Sequence, residues 1–182
     1  MIDKHFLAEF KRLTEFKWAT QSIDPNIAGF QFQRGTRWLP GLSEEQIATY
    51  EAVIGSQFPR DLKAFLHEMN GTDLPTVNIY ASCGAPHQQS VGVYSYPRDI
   101  DLVRDRIHLV LEHRAAVASD LASQGFHLGE NANLVPIYGH RYVVSTPDPS
   151  SSVVLSVVVN EVDAIVYGDS LQEYLVKEFL ST

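Results

Sequence analysis

Residues 42–71 read LSEEQIATYEAVIGSQFPRDLKAFLHEMNG, and the punctuation of this stretch specifies two short helices in tandem. Ser43 and Gln46 have the spacing of a capping box, in which hydroxyl and side-chain amide each satisfy one orphan backbone N–H. Ile47, Tyr50 and Ile54 then share one helical face, with Val53 beside them. Gly55 ends that helix, and Pro59 falls in the first turn of the next, where a missing N–H is tolerated. Leu62, Phe65, Leu66 and Met69 follow at helical spacing, and Asn70-Gly71 predicts a left-handed exit.

On the N-terminal side, Asp3 is placed to cap a helix running to about Trp18. It carries Phe6, Leu7, Phe10, Leu13 and Lys17, a stripe that must dock on its own domain or on a second copy of the chain. Asp24-Pro25-Asn26 marks a loop, Phe30 and Phe32 alternate with glutamines as a half-buried strand, and residues 37–41 lead into the helix pair. Beyond Gly71, Val77, Ile79 and Tyr80 suit a short strand, 82–90 a surface loop, and 91–96 another strand stopped by Pro97. Residues 99–123 read as one long helix that Gly125 terminates. The runs 141–145, 153–159 and 163–167 are β-branched and separated by turn residues, the pattern of an antiparallel meander. Within it, 153–159 is apolar at every position but Ser156, which predicts a central strand covered on both faces. Ser170 and Glu173 form a second capping box, and Leu171, Tyr174, Leu175 and Phe179 give the last helix its buried face. The expected fold is a single α+β domain over residues 1–182, a mostly antiparallel sheet packed by several helices, with the helix at 3–18 as an N-terminal extension.

A chain of 182 residues buries enough surface to need no metal or disulfide staple. Its formal charge of −8 disfavours direct contact with nucleic acid or anionic membrane, because phosphate repels it. A basic protein partner suits that charge; solubility alone is the other explanation. Cys83 is the single cysteine, so no intramolecular disulfide forms, which favours a reducing compartment. The N-terminus lacks an apolar core of the secretory type, and no run of about 18 apolar residues occurs, so the expected location is cytoplasmic.

Residues with chemical potential are scattered. His108 and His113 are five apart, unlike a helical zinc pair, so a metal site would have to gather distant His87, His127 and His140. Cys83 with His87 is the nearest approach to a nucleophile and base, and the glycine-rich phosphate and nucleophile-elbow motifs do not occur. We therefore expect no catalytic group, cofactor or metal. His140 and Arg141 follow a turn glycine; there Arg141 is expected to pair with a carboxylate such as Asp163 or Asp169, and His140 to bond backbone. Glu44, Glu45, Glu51, Asp61, Glu68 and Asp73 crowd the helix pair against Arg60 and Lys63. They form either a docking surface for a cationic protein or a solvated face whose acids suit helix N-termini.

The order of these signals resembles the SUKH (Smi/Knr-type) superfamily. One block comprises Trp38, Leu42-Ser43-Glu44-Glu45, Ile54-Gly55, Phe58-Pro59, Phe65-Leu66 and Asn70-Gly71; a second comprises Leu134-Val135-Pro136-Ile137 and the closing Asp169-Ser170-Leu171-Gln172-Glu173-Tyr174-Leu175. His140-Arg141-Tyr142 and Val166-Tyr167-Gly168-Asp169 are similar to a bacterial branch. The blocks span residues 38–180, while 1–37 and 76–127 carry no part of the resemblance. The resemblance implies an α+β domain with Trp38, Pro59, Asn70, Gly71, His140, Arg141, Tyr167 and Asp169 in structural roles. It also implies an immunity-type protein that neutralises a toxin domain, often a nuclease; the charge pattern adds occlusion of a basic groove, with Glu44, Glu45, Glu51, Glu68 and Asp73 on the partner-binding face. A regulatory or scaffold binding module is the alternative within the superfamily; a ligand-binding or hydrolytic domain using His140, Arg141 and Asp169 is the third reading. A homodimer through the first helix is compatible with each.

Overall fold

The helix pair forms as its local chemistry dictates. In a computed structural model that describes residues 2–79, 88–148, 150–159 and 163–181, α2 spans Glu44–Ile54 and α3 spans Arg60–Glu68. Both halves of the Ser43–Gln46 capping box are made, and Gly55 closes α2 in the left-handed conformation at φ +69°. Ile47 and Tyr50 are buried, Ile54 half-buried and Val53 exposed.

The Asn-Gly pair does something other than cap α3. The chain passes directly from α3 into β3 (Met69–Thr72), with Met69 already extended. Asn70 instead mimics a strand: its Nδ2 donates to the Tyr96 carbonyl at 2.6 Å and its Oδ1 accepts the Tyr96 N–H at 2.9 Å. Gly71, at φ +76°, lets the same segment approach, since a Cβ there would lie 2.6 Å from the Val93 carbonyl oxygen. Residues 91–96 are thereby held by side chain and close packing. Among the described residues they form no ladder beyond a single bridge from Val93 to Tyr138, contrary to the strand expected there.

Helix α1 (Lys4–Thr20) packs as part of the main core and not as an appended extension. Its buried face is Leu7, Phe10, Thr14 and Trp18, while Leu13, expected inside, is exposed. The stripe rotates because Thr14 has a buried task. Its Oγ1 accepts the indole N–H of Trp38 at 2.7 Å and donates to the Phe10 carbonyl at 2.9 Å. Trp38 belongs to a short strand, β2 (Trp38–Pro40), which pairs with β3 where the sequence suggested only a lead-in. β1 (Gly29–Phe32), β4 (Thr76–Ile79) and β5 (Gln88–Ser90) make a second antiparallel sheet in the order β1-β4-β5. The end of the expected 82–90 loop is thus a strand; Cys83 and His87 lie outside the described residues.

The long helix is two. α4 (Ile100–Glu112) stops at His113, whose ring nitrogen bonds the Leu109 carbonyl at 3.0 Å, and α5 (Arg114–Ser123) follows. A side chain competing for that carbonyl ends the helix without glycine or proline, so no breaker marks the place.

The meander gains a strand, since 134–137 lie inside β6 (Asn133–Tyr138). β7 (Arg141–Ser145), β8 (Val154–Val158) and β9 (Asp163–Gly168) complete the order β6-β7-β8-β9. Period-two alternation separates two cores. Val135, Val143 and Val154 face α1, α3 and the C-terminal helix, whereas Leu134, Val144, Leu155 and Val157 face Val110 of α4 and Val117 and Leu121 of α5. The central strand is covered on both sides, as its composition requires. At the β9 edge, Asp120 accepts the Ala164 N–H at 2.7 Å and Gln124 donates to its carbonyl at 2.8 Å, so α5 supplies the missing neighbour at that residue.

The chain ends in α6 (Leu171–Leu175), whose Glu173 carboxylate bonds the Asp169 N–H one residue before the capping Ser170, and a π-helical turn, Val176–Leu180. Among the described residues, no helix is long and apolar enough to cross a membrane.

Asn70→Ala tests the strand mimicry. It leaves the Tyr96 N–H and C=O without their partners, and should lower unfolding stability by about 2–3 kcal/mol in a urea titration.

Candidate functional site

The acids proposed for docking do not share one fate. Glu51 is committed internally: its carboxylate accepts the Phe58 N–H and pairs with Lys63 at 2.9 Å. Asp73 accepts the N–H groups of Arg37 and Leu74, both at 2.7 Å, and holds a turn. Asp61 is buried, taking the Ile2 N–H on one oxygen and the Ser152 hydroxyl on the other. Glu68 lies 3.9 Å from Lys11, and Glu44 reaches His67 Nε2 at 3.0 Å. Asp73 is exposed at its turn, as are Glu44 and Glu45 in the first turn of α2. Beside them a groove of about 420 Å³ between α1 and α3 carries Lys4, Arg60, Lys63 and His67 as well as Glu44 and Glu68. The uniform acidic face expected of the helix pair is an alternation of charge. Basic side chains on neighbouring helices stand beside Glu44, Glu51 and Glu68, and backbone N–H groups are bonded by Asp73.

The residues behind the resemblance hold the fold at two places. Trp38 is buried among Phe10, Trp18, Phe65 and Phe179, with ring centroids 5.3–5.8 Å away. Pro59 is buried as the residue preceding α3. Arg141 sits at the start of β7, opposite Ser156 of β8 on the same sheet face, and donates to its hydroxyl at 2.8 Å. Its Nε donates to Glu178 at 3.1 Å, and its guanidinium carbon lies 3.9 Å from the centre of the Tyr167 ring. Lys177 is 4.0 Å from the same ring and bonds the Tyr167 carbonyl.

The expected partners of Arg141 are therefore replaced. Asp163 and Asp169 are exposed at the two ends of β9, while the π-helical turn carries Glu178 to the guanidinium. Glu178 is the residue that sequence reasoning missed, and its separation from Arg141 by 37 positions leaves no local signal.

His140 stands beside this junction, with its ring 6.1 Å from Phe30 and its carbonyl accepting the Val157 N–H. Burial above all, then the Arg141 and Arg106 cations, hold its pKa down to about 4. Burial likewise raises Tyr138 and Tyr174 well above the usual phenol value, with Glu178 adding to both.

A cleft of about 240 Å³ opens against the far side of Glu178 and Phe179, floored by Tyr138 and walled by the C-terminal end of α1, β1 and the loop between them. Among the described residues, no group of three His, Cys, Asp or Glu is arranged to hold a metal ion; His108 instead reaches Glu112 at 3.3 Å.

No known family model matches the chain, and no curated protein sequence matches it.

Two measurements check this junction. Arg141→Met strands a carboxylate whose side chain is only 17% exposed, and should cost about 3 kcal/mol of stability by urea unfolding. His140 stays neutral in the fold down to pH about 4, whereas in the unfolded chain it binds a proton near its ordinary 6.5. Its contribution is complete above pH 6.5 and is lost as pH falls toward 4. His140→Gln should therefore flatten the decline of the urea midpoint across that window relative to the parent chain.

Proposed function

We propose that the chain is a protein-binding module of the SUKH type, acting in the cytoplasm as an immunity protein that occludes a basic toxin domain without catalysis. The observation that carries this reading is the use made of the residues behind the resemblance. Trp38, Pro59, Asn70 and Gly71 build the junction of α1, α3 and the 91–96 segment, and Arg141 and Tyr167 fasten the sheet to the C-terminal turn. Those are framework tasks, and they leave the exterior to recognition. The formal charge of −8, with Glu44 and Glu45 exposed at one helix end, favours a cationic partner and speeds its approach. Because charge on the helix pair alternates, attraction arises from the whole surface and specificity from local pairs.

The groove between α1 and α3 favours the second reading, a regulatory or scaffold module. Its Lys4 and Arg60 next to Glu44 and Glu68 suit a partner segment of mixed charge.

Titration with the purified toxin domain encoded beside the gene decides between them. The immunity reading expects a one-to-one complex of submicromolar affinity, with an association rate that drops roughly tenfold as salt screens the surface. No complex at micromolar concentration, with a host protein captured instead, would favour the regulatory module.

A further inference from the structure

The cleft beside the C-terminal turn is lined by both aromatic rings and carboxylates. Half of its lining is aromatic or aliphatic: Phe30 is half-buried and Ile27 is 58% exposed, and Trp18 and Phe32 stack at 4.4 Å. Two carboxylates border it. Glu178 uses one oxygen for Arg141, and Asp24 uses one oxygen for the backbone and side-chain N–H groups of Asn26, at 2.8 and 3.0 Å. No cation among the described residues forms an ion pair with Asp24. The cleft also contains Lys17, but that ammonium donates to the Phe179 and Ser181 carbonyls at 3.1 and 3.4 Å, at the carbonyl end of the terminal turn. Gln21 and Gln31 are likewise occupied, each bonding main chain at 2.6 Å, and so brace the walls. Beside the Ser22 hydroxyl, the lining groups left without a hydrogen bond among the described residues are the rings and the second oxygens of Asp24 and Glu178. A planar cation is the group that satisfies both at once.

We propose that this cleft is a socket for a guanidinium group, presented as an arginine side chain of the protein partner. The proposal rests on the protein-binding reading above and deepens it. At about 240 Å³ the space suits one long side chain better than a cofactor, and a buried arginine anchor of this kind concentrates affinity in one place. Arginine lays its flat face on Phe30 and directs N–H groups to the free oxygens of Asp24 and Glu178. Lysine, a point charge, forfeits the stacking.

The test uses two small probes on the whole chain, followed by nuclear magnetic resonance. N-acetyl-arginine methylamide should bind saturably, shifting signals of Ile27, Phe30 and Gln31. Its uncharged isostere, N-acetyl-citrulline methylamide, should bind about tenfold more weakly. Asp24→Asn keeps an oxygen for the Asn26 N–H groups while removing the charge, and should weaken the arginine probe by a similar factor. Equal binding of the two probes, shifts confined to other surfaces, or no saturation at about 50 mM would overturn the socket. A second arm separates this proposal from the one beneath it. If the toxin domain binds and Asp24→Asn leaves its affinity unchanged, the socket fails and the immunity reading stands. If the arginine probe binds as described and no toxin domain does, the immunity reading fails and the guanidinium site stands.

Discussion

The hydrogen bond from the Trp38 indole to Thr14 orders the rest of the molecule. A buried indole N–H must find an acceptor, and the acceptor here is a hydroxyl on a helix 24 residues upstream. That single requirement turns α1 so that Phe10 and Trp18 face inward, brings β2 against β3, and leaves a space between rings that Phe179 fills from the chain's other end. First, middle and last helical segments therefore meet at one aromatic cluster. Its pairs are tilted or edge-on, as ring quadrupoles prefer, so packing there has direction as well as area.

From that cluster the remaining geometry follows. Phe179 can reach it because the last turn is π-helical, and the same turn carries Glu178 outward to Arg141. The four-stranded sheet is thus tied to the terminus on one face, while α4 and α5 occupy the other. The cleft is what lies between these constraints: α1 ends, the chain loops away before β1, and the terminal turn does not fill the gap. Glu178 serves both the sheet tie and the cleft, since it satisfies a guanidinium within the protein and borders the open space.

Much of the local structure was legible beforehand, for reasons confined to a few consecutive residues. Ser43 with Gln46, Ser170 at α6, Gly55 after α2 and the valines of β8 declare themselves through side chains that bond or pack within one turn or one strand. The misreadings have the opposite character. Leu13 and Thr14 exchange places because a polar group was needed inside. Residues 99–123 split because the His113 ring takes a carbonyl. Residues 38–40 are a strand because β3 is there to pair with them. The acids of the helix pair illustrate the same limit. A list of carboxylates cannot reveal that Glu51 faces Lys63 or that Asp73 receives two backbone N–H groups.

The order of residues alone determined where α1, α2 and α6 begin and where α2 ends, which strand lies at the centre of the sheet, and the acidity of the whole. Capping, periodicity and net charge are properties of neighbours or of sums. Tertiary structure decided which carboxylate Arg141 takes, what Asn70 and Gly71 hold, and that an aromatic cleft opens beside Asp24. Those outcomes depend on which faces meet across tens of residues. The meeting is set by the need to bury rings and satisfy every enclosed polar group at once, a condition no short window of sequence contains.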